Sequence, residues 1–180
     1  KRAELEYDPS QKKAICSEIA RMAENQLHDD RMAEKAWKGL LESDESDTDA
    51  QAELCRLYEK LGRYADQIEI LKLRINYTQN VKEQQALRQQ IAEIYEKKLN
   101  KPDLAEETWR EAYDNDPSFE PAVSALLDIY KRKGDWDAVK DIHFTRLGQA
   151  SVDSEKIAVL MEMAELAYEK IKDVDEAVSY

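Results

Sequence analysis

The chain has 180 residues and a formal charge of −12, with 39 acidic against 27 basic side chains, which disfavours general binding to phosphate backbones or anionic membranes and would attract a basic partner. Only 4 Gly and 4 Pro beside 37% charged residues exclude a sheet-rich or loop-rich chain and favour helices. No apolar run approaches the ~20 residues needed to cross a bilayer.

In chain order, Tyr7, Asp8, Pro9 and Ser10 have the composition that closes a second helix at Asp116, Pro117 and Ser118, so residues 1–9 are expected to end a preceding unit. Residues 10–47 then carry Ala14, Ile19, Ala20 and Leu27, followed by Ala33 and Trp37. Residues 48–80 open with a capping box of Thr48 and Gln51; Ala50, Leu54, Leu57, Tyr58 and Leu61 form one helical stripe, Gly62 stops it, and a second helix starts near Tyr64. Residues 81–118 repeat the pattern with Ile91, Ala92 and Tyr95, then Pro102 in a first turn ahead of Ala105, Trp109 and Ala112. Residues 119–151 do so again, with Pro121 in the first turn, a stripe of Ala122, Leu126, Ile129 and Tyr130, a stop at Gly134 and a new helix at Trp136. Residues 152–180 keep Ala158, Met163, Ala164, Ile171 and Ala177 in register.

A shift of 72 residues therefore superposes the chain on itself without a gap: Ile19, Ala20, Ala33, Trp37, Leu54, Tyr58 and Gly62 fall on Ile91, Ala92, Ala105, Trp109, Leu126, Tyr130 and Gly134. Self-similarity at a fixed period, kept mainly at small, apolar or aromatic positions, marks a stacked repeat architecture. Within the period the equivalent apolar residues Ile19, Leu54, Ile91, Leu126 and Met163 step alternately by 35 and 37, so each period holds two similar but unequal units. The order large, small, aromatic, then Ala, aromatic, Ala, Pro, carried by Ile91, Ala92, Tyr95, Ala105, Trp109, Ala112 and Pro117, resembles the tetratricopeptide repeat (TPR). The resemblance implies an all-α, right-handed superhelix of about five helix-turn-helix units, residues 1–180 forming one solenoid. Gln67 and Val139 stand where the second helix usually has Ala, and Arg74 and Arg146 replace a later Ala; the alternation of regular and degenerate units is similar to long arrays in large bacterial proteins. Both ends are expected to be cut from such an array.

Little in the chain suggests chemistry. His28 and His143 have no paired ligands nearby; His28 reads as a solvated turn residue and His143 as a packing residue. Cys16 and Cys55 read as packing thiols in a reducing, cytoplasmic setting. The acidic run Asp44, Glu45, Asp47 and Asp49 lacks the ligand alternation of a calcium loop and reads as a solvated connection, while Trp37, Trp109 and Trp136 read as core. No catalytic residue, metal ligand or cofactor site is expected, and no enzymatic activity.

The function implied by the resemblance is a protein-interaction scaffold whose first helices line a groove for another protein or peptide. Carried over by alignment, the groove residues are Arg56, Lys60, Gln89, Glu93, Lys97, Ser124, Asp128 and Arg132. Arg21, Arg56, Glu93, Asp128 and Glu165 occupy the places where a carboxylate clamp needs Asn, so that subtype is not expected. The alternative reading is a regulatory or spacer region of a larger multidomain protein whose enzymatic domain lies elsewhere; RNA binding through related repeats conflicts with the charge.

Overall fold

A computed structural model of the chain describes residues 9–180; of the stretch 1–9 expected to end a preceding unit, Lys1 to Asp8 lie outside the described residues and Pro9 opens the first helix instead. Every regular element among them is helical, as the repeat pattern predicts. The helices are α1 (Pro9–Met22), α2 (Asp30–Leu41), α3 (Thr48–Lys60), α4 (Tyr64–Tyr77), α5 (Val81–Lys97), α6 (Pro102–Asn115), α7 (Glu120–Lys133), α8 (Trp136–Gln149), α9 (Asp153–Leu166) and α10 (Val174–Ser179). They belong to two compact units, one ending at Asn100 and the other beginning at Lys101.

Five reversals set the phase of these helices. The positive-φ residues are His28, Gly62, Asn100, Gly134 and Lys172, spaced 34 and 38 residues in alternation. Each closes a first helix by letting the chain turn through the left-handed region. At Gly62 the turn is a Schellman motif: its N–H donates to the Glu59 carbonyl and the Arg63 N–H to that of Tyr58, at 3.1 and 2.8 Å. Gly134 and Asp135 make the same pair of bonds to Lys131 and Tyr130. In the regular units the closing turn is wider. α1 and α9 run on into single π-helical turns, Ala23–Leu27 and Ala167–Ile171, which lie two periods apart, and the N–H groups of His28 and Lys172 reach back to Ala23 and Ala167. Both sequence stops at glycine and both prolines inside a first turn fall where the pattern places them.

The start of α3 differs from expectation. Asp47, not Thr48, is its N-cap, its Oδ1 accepting from the Asp49 and Ala50 amides at 3.1 and 3.0 Å. Gln51 cannot complete a capping box because it is fully buried and donates instead to the Glu45 carbonyl at 2.6 Å. The acidic run thus makes a connection in which Asp44 accepts from both the amide and the hydroxyl of Ser46, as Asp116 does from Ser118 one period later. Lys13 closes it by bridging Asp47 and Asp49 at 2.9 and 3.0 Å.

In the first unit the core runs through two larger clusters and a small third one of Ala23, Ala33 and Leu57. Cys16, Ala20, Trp37, Leu40, Ala50, Leu54 and Tyr58 join α1, α2 and α3. Cys55, Ile68, Leu71, Leu87 and Ile91 join α3, α4 and α5. The fully buried alanines Ala20, Ala33 and Ala50 keep paired helices close, and Trp37 fills between them. In the second unit α6 packs on α7, α7 on α8, α8 on α9 and α9 on α10, with Ala105, Trp109, Ala112, Ala122, Leu126 and Val139 buried. The repeated residues are not all core. Ala14, Ala86 and Ala158 are exposed in all three copies, where alanine contributes helix propensity rather than packing, and Ile19 is exposed while Ile91 and Met163 are buried. Both thiols are buried as expected, in different clusters, and burial pushes the Cys55 thiol up to about 11.

A polar node also repeats. Glu34 on α2 takes hydrogen bonds from the Tyr58 hydroxyl (3.0 Å) and Arg63 (2.6 Å) and pairs with Lys38 (2.7 Å). One period later Glu106 pairs with Lys133 and, more loosely, Arg110, whose guanidinium lies over the Tyr130 ring and donates to its hydroxyl. Burial opposes ionisation of Glu34, but the three donors outweigh it and hold the carboxyl down at about 2.

Two outcomes follow for stability. A Cβ at Gly62 or Gly134 meets no atom within 4 Å, so Gly62→Ala and Gly134→Ala should each cost only the left-handed backbone penalty, about 1 kcal/mol, read from the urea midpoint, whereas His28→Gly and Lys172→Gly should not destabilise. Glu34 has a folded-state pKa below its ordinary 4.5, so its contribution, on the order of 2 kcal/mol, is complete above that pH and lost as pH falls toward about 2; Glu34→Gln should shrink the drop in urea midpoint between neutral pH and pH ~3.

Candidate functional site

An open groove in the first unit has a counterpart of the same build in the second. In the first unit it lies between α3 and α5 over a floor from α4, with a volume of about 430 Å³. In the second it lies between α7 and α9 over α8, about 530 Å³. The correspondence is residue by residue: Glu59, Leu71, Gln90, Glu93, Ile94, Lys97 and Lys98 line the first groove, and Lys131, His143, Glu162, Glu165, Leu166, Glu169 and Lys170, each 72 positions on, line the second. The apolar member keeps its character, Ile94 becoming Leu166, while Glu59 becomes Lys131, Gln90 becomes Glu162 and Lys97 becomes Glu169.

The two floors differ in a way that matters chemically. Below the first groove, Cys55, Leu71 and Gln67 are buried, and the Gln67 carbonyl Oε1 has no hydrogen-bond partner. Its counterpart Val139 is fully buried and apolar. Below the second groove sits His143, 1% exposed, its Nδ1 3.4 Å from both the Glu162 carboxylate and the Arg146 guanidinium. Burial lowers its pKa; Glu162 opposes that shift, and Arg146 and Lys131 add to it. Trp136 forms a half-buried part of the wall rather than core, while Trp37 and Trp109 are buried.

Arg74 and Arg146, the residues standing in place of a second-helix alanine, bind the next first helix instead of packing against it. Arg74 reaches Glu83 on α5 at 3.1 Å, and Arg146 reaches Glu162 on α9 at 2.7 Å. Their lower regularity in sequence is thus an exchange of apolar contact for a half-exposed ion pair.

The sequence-derived groove residues divide between the two units. Arg56 and Lys60 lie on α3, where both hold Glu24: Arg56 makes a bidentate pair with it and also binds Glu53 at 2.8 Å, and Lys60 binds Glu24 at 3.3 Å and Asp30 at 2.7 Å. Hydrogen bonds from Arg56 hold the Glu24 carboxyl below its usual range against the opposing effect of burial. Gln89, Glu93 and Lys97 form a chain along α5, Gln89 and Lys97 donating to opposite oxygens of Glu93 at 3.0 and 2.9 Å. Ser124, Asp128 and Arg132 are exposed on α7, the Arg132 Nε donating to the Asp128 carbonyl at 3.3 Å. Arg56, Glu93 and Lys97 line the first groove; Lys60 and Gln89 lie outside its lining, and Ser124, Asp128 and Arg132 lie outside that of the second. Sequence reasoning missed Gln67 as a groove residue, although its departure from the alanine pattern was the available signal.

Among the described residues no group of three or more His, Cys, Asp and Glu is arranged to hold a metal ion, and no helix is long and apolar enough to cross a membrane.

No family model and no curated protein matches the chain. Two solved structures of MamA are similar to it in fold, each at 20% identity, with TM-scores of 0.47 and 0.46. One alignment covers 93% of this chain and 86% of the other, the second 87% of each.

The buried histidine gives the second groove a pH dependence of its own. His143 is held neutral, so its folded-state pKa lies below the ordinary 6.5; the stability this contributes is present above that value and is lost as pH falls below it. His143→Leu, which copies Leu71 in the first groove, should flatten the change in urea midpoint between pH ~7.5 and ~5.5 relative to the parent chain.

Proposed function

We propose that this chain is a non-enzymatic protein-interaction scaffold of the tetratricopeptide type, taking segments of another protein in grooves lined by its first helices. The observation that carries this reading is the pair of equivalent grooves, each walled by two first helices and floored by the second helix between them. Packing residues persist across the 72-residue shift while the wall charges at Glu59 and Lys97 reverse to Lys131 and Glu169, the division expected when a rigid scaffold is retained and recognition varies. A preformed helical surface limits the ordering cost of binding, since the walls are held by packing and by ion pairs such as Arg74 to Glu83 before any ligand arrives.

Arg56 and Lys60 take a different place in this proposal from the other aligned residues. Their charges are spent on Glu24 and Asp30, so they brace α3 against the end of α1, and a reversal there would test the scaffold as much as the ligand. Glu93 and Lys97 in the first groove and Glu165 and Glu169 in the second are the wall positions at which recognition is expressed. The regular and degenerate alternation fits membership of a long array, and the two buried, free thiols fit a reducing, cytoplasmic setting.

Peptides selected from a displayed library by the whole chain should bind more tightly than about 100 μM and protect amides of α3, α5, α7 or α9 beside a groove from hydrogen exchange. Selection that yields no such ligand, or ligands protecting only α2 and α6, would remove the assignment.

A further inference from the structure

The two grooves are similar in shape and opposite in charge character, and only the first has an unmet polar group in its floor. Gln67 is 9% exposed, lines the groove, and its carbonyl Oε1 is unpartnered. That atom can only accept, so whatever completes it must bring an N–H or O–H into the groove. Packing does not require the polar group, because the equivalent position one period later is the buried Val139. Around it the walls carry Arg56, Arg74, Lys97 and Lys98 beside Glu59 and Glu93; Arg56 is held by Glu24 and Glu53, Arg74 by Glu83, and Lys97 by Glu93 in an exposed pair along α5. Lys98 lies 5.6 Å over the Tyr64 ring and forms no ion pair among the described residues, so its charge is available at the rim. The exposed Lys97–Glu93 pair beside it is weakly held, so a ligand carboxylate can take Lys97 as well as Lys98.

We propose that the groove between α3 and α5 takes an extended acidic segment of a partner protein, a main-chain N–H of which donates to Gln67 Oε1 while its carboxylates meet Lys97 and Lys98. This rests on the scaffold reading and names the ligand class of one groove. An extended strand offers main-chain N–H groups between outward side chains, so one deep acceptor and two rim cations read backbone and charge together. The equivalent groove between α7 and α9 serves as an internal control: Lys97 is replaced there by Glu169, Gln90 by Glu162 and Gln67 by Val139, so the same ligand is repelled and finds no acceptor.

The test is a titration of the whole chain, followed by NMR, with a peptide of about ten residues alternating Glu and Ser, beside the Lys and Ser equivalent and a uracil-rich oligoribonucleotide. The acidic peptide should move the Gln67 side-chain amide resonances. The exposed double variant Lys97→Glu with Lys98→Glu should weaken its binding at least about tenfold, while Glu165→Lys in the other groove leaves binding here unchanged. Gln67→Val, which copies the second floor and so keeps the packing, should weaken the acidic peptide while circular dichroism shows the helices intact. The proposal is overturned if the acidic peptide ignores the double reversal, if Gln67 does not respond, or if the basic peptide or the oligoribonucleotide occupies this groove more tightly. If acidic peptides fail here while library-selected ligands still protect the groove, only the ligand class is wrong; if nothing protects either groove, the scaffold reading falls with it.

Discussion

The structure depends on a backbone reversal repeated five times. Within a unit a first helix can pack back to back with its second, as α1 does with α2, α3 with α4 and α7 with α8, only if the chain turns within one or two residues, and an α-helix turns that sharply by passing one residue through the left-handed region. His28, Gly62, Asn100, Gly134 and Lys172 supply it. The two degenerate units use glycine, which pays no side-chain penalty there; the regular units use longer residues. At His28 and Lys172 the reversal follows a π-helical turn, where the extra residue per turn brings the chain round. The alternation of 34 and 38 residues is therefore a property of the turns as well as of the sequence pattern.

Once the reversals are set, alanine and tryptophan do the packing. Ala20, Ala33, Ala50, Ala105, Ala112 and Ala122 are buried to within a few per cent, so a larger residue at any of them would force helices apart. Polar nodes add to this without replacing it. Glu34 with Tyr58, Arg63 and Lys38, and Glu106 with Lys133 and Arg110, tie a second helix to the first helix of the next pair, and the third copy has Val178 at that position. Where the degenerate units give up an alanine for Arg74 or Arg146, an ion pair across to the following first helix takes its place.

The grooves show how a repeat can keep architecture while changing recognition. Side chains on the buried side of a first helix face the same neighbours in every copy, so they are constrained in volume. Those on the groove side face water or a ligand, and there one sign replaces another within the same helical architecture, as at Glu59 and Lys131 and at Lys97 and Glu169. Floor positions are intermediate. Gln67, Val139, Leu71 and His143 are all buried, yet two of the four are polar, and burial makes each of those two chemically distinctive: an acceptor with no donor, and a histidine kept neutral.

From the sequence alone, the helical class, the period, the glycine stops and the prolines in first turns were determined, because propensity, capping and periodicity act within one or two turns of chain and the repeat displays each signal more than once. The cap of α3 was misread by one residue because Asp47 and Thr48 are both competent caps, and only the burial of Gln51 beneath the Glu45 carbonyl decided between them. Tertiary structure alone decided which aligned residues are spent internally outside a groove, as Lys60 is on Glu24 and Asp30, and which line one, as Arg56, Glu93 and Lys97 do. It also separated Trp136 at a groove wall from Trp37 in the core, and the exposed Ala14 from the buried Ala20. The physical reason is that a helical pattern specifies a face, whereas the partner of that face is set by residues tens of positions away.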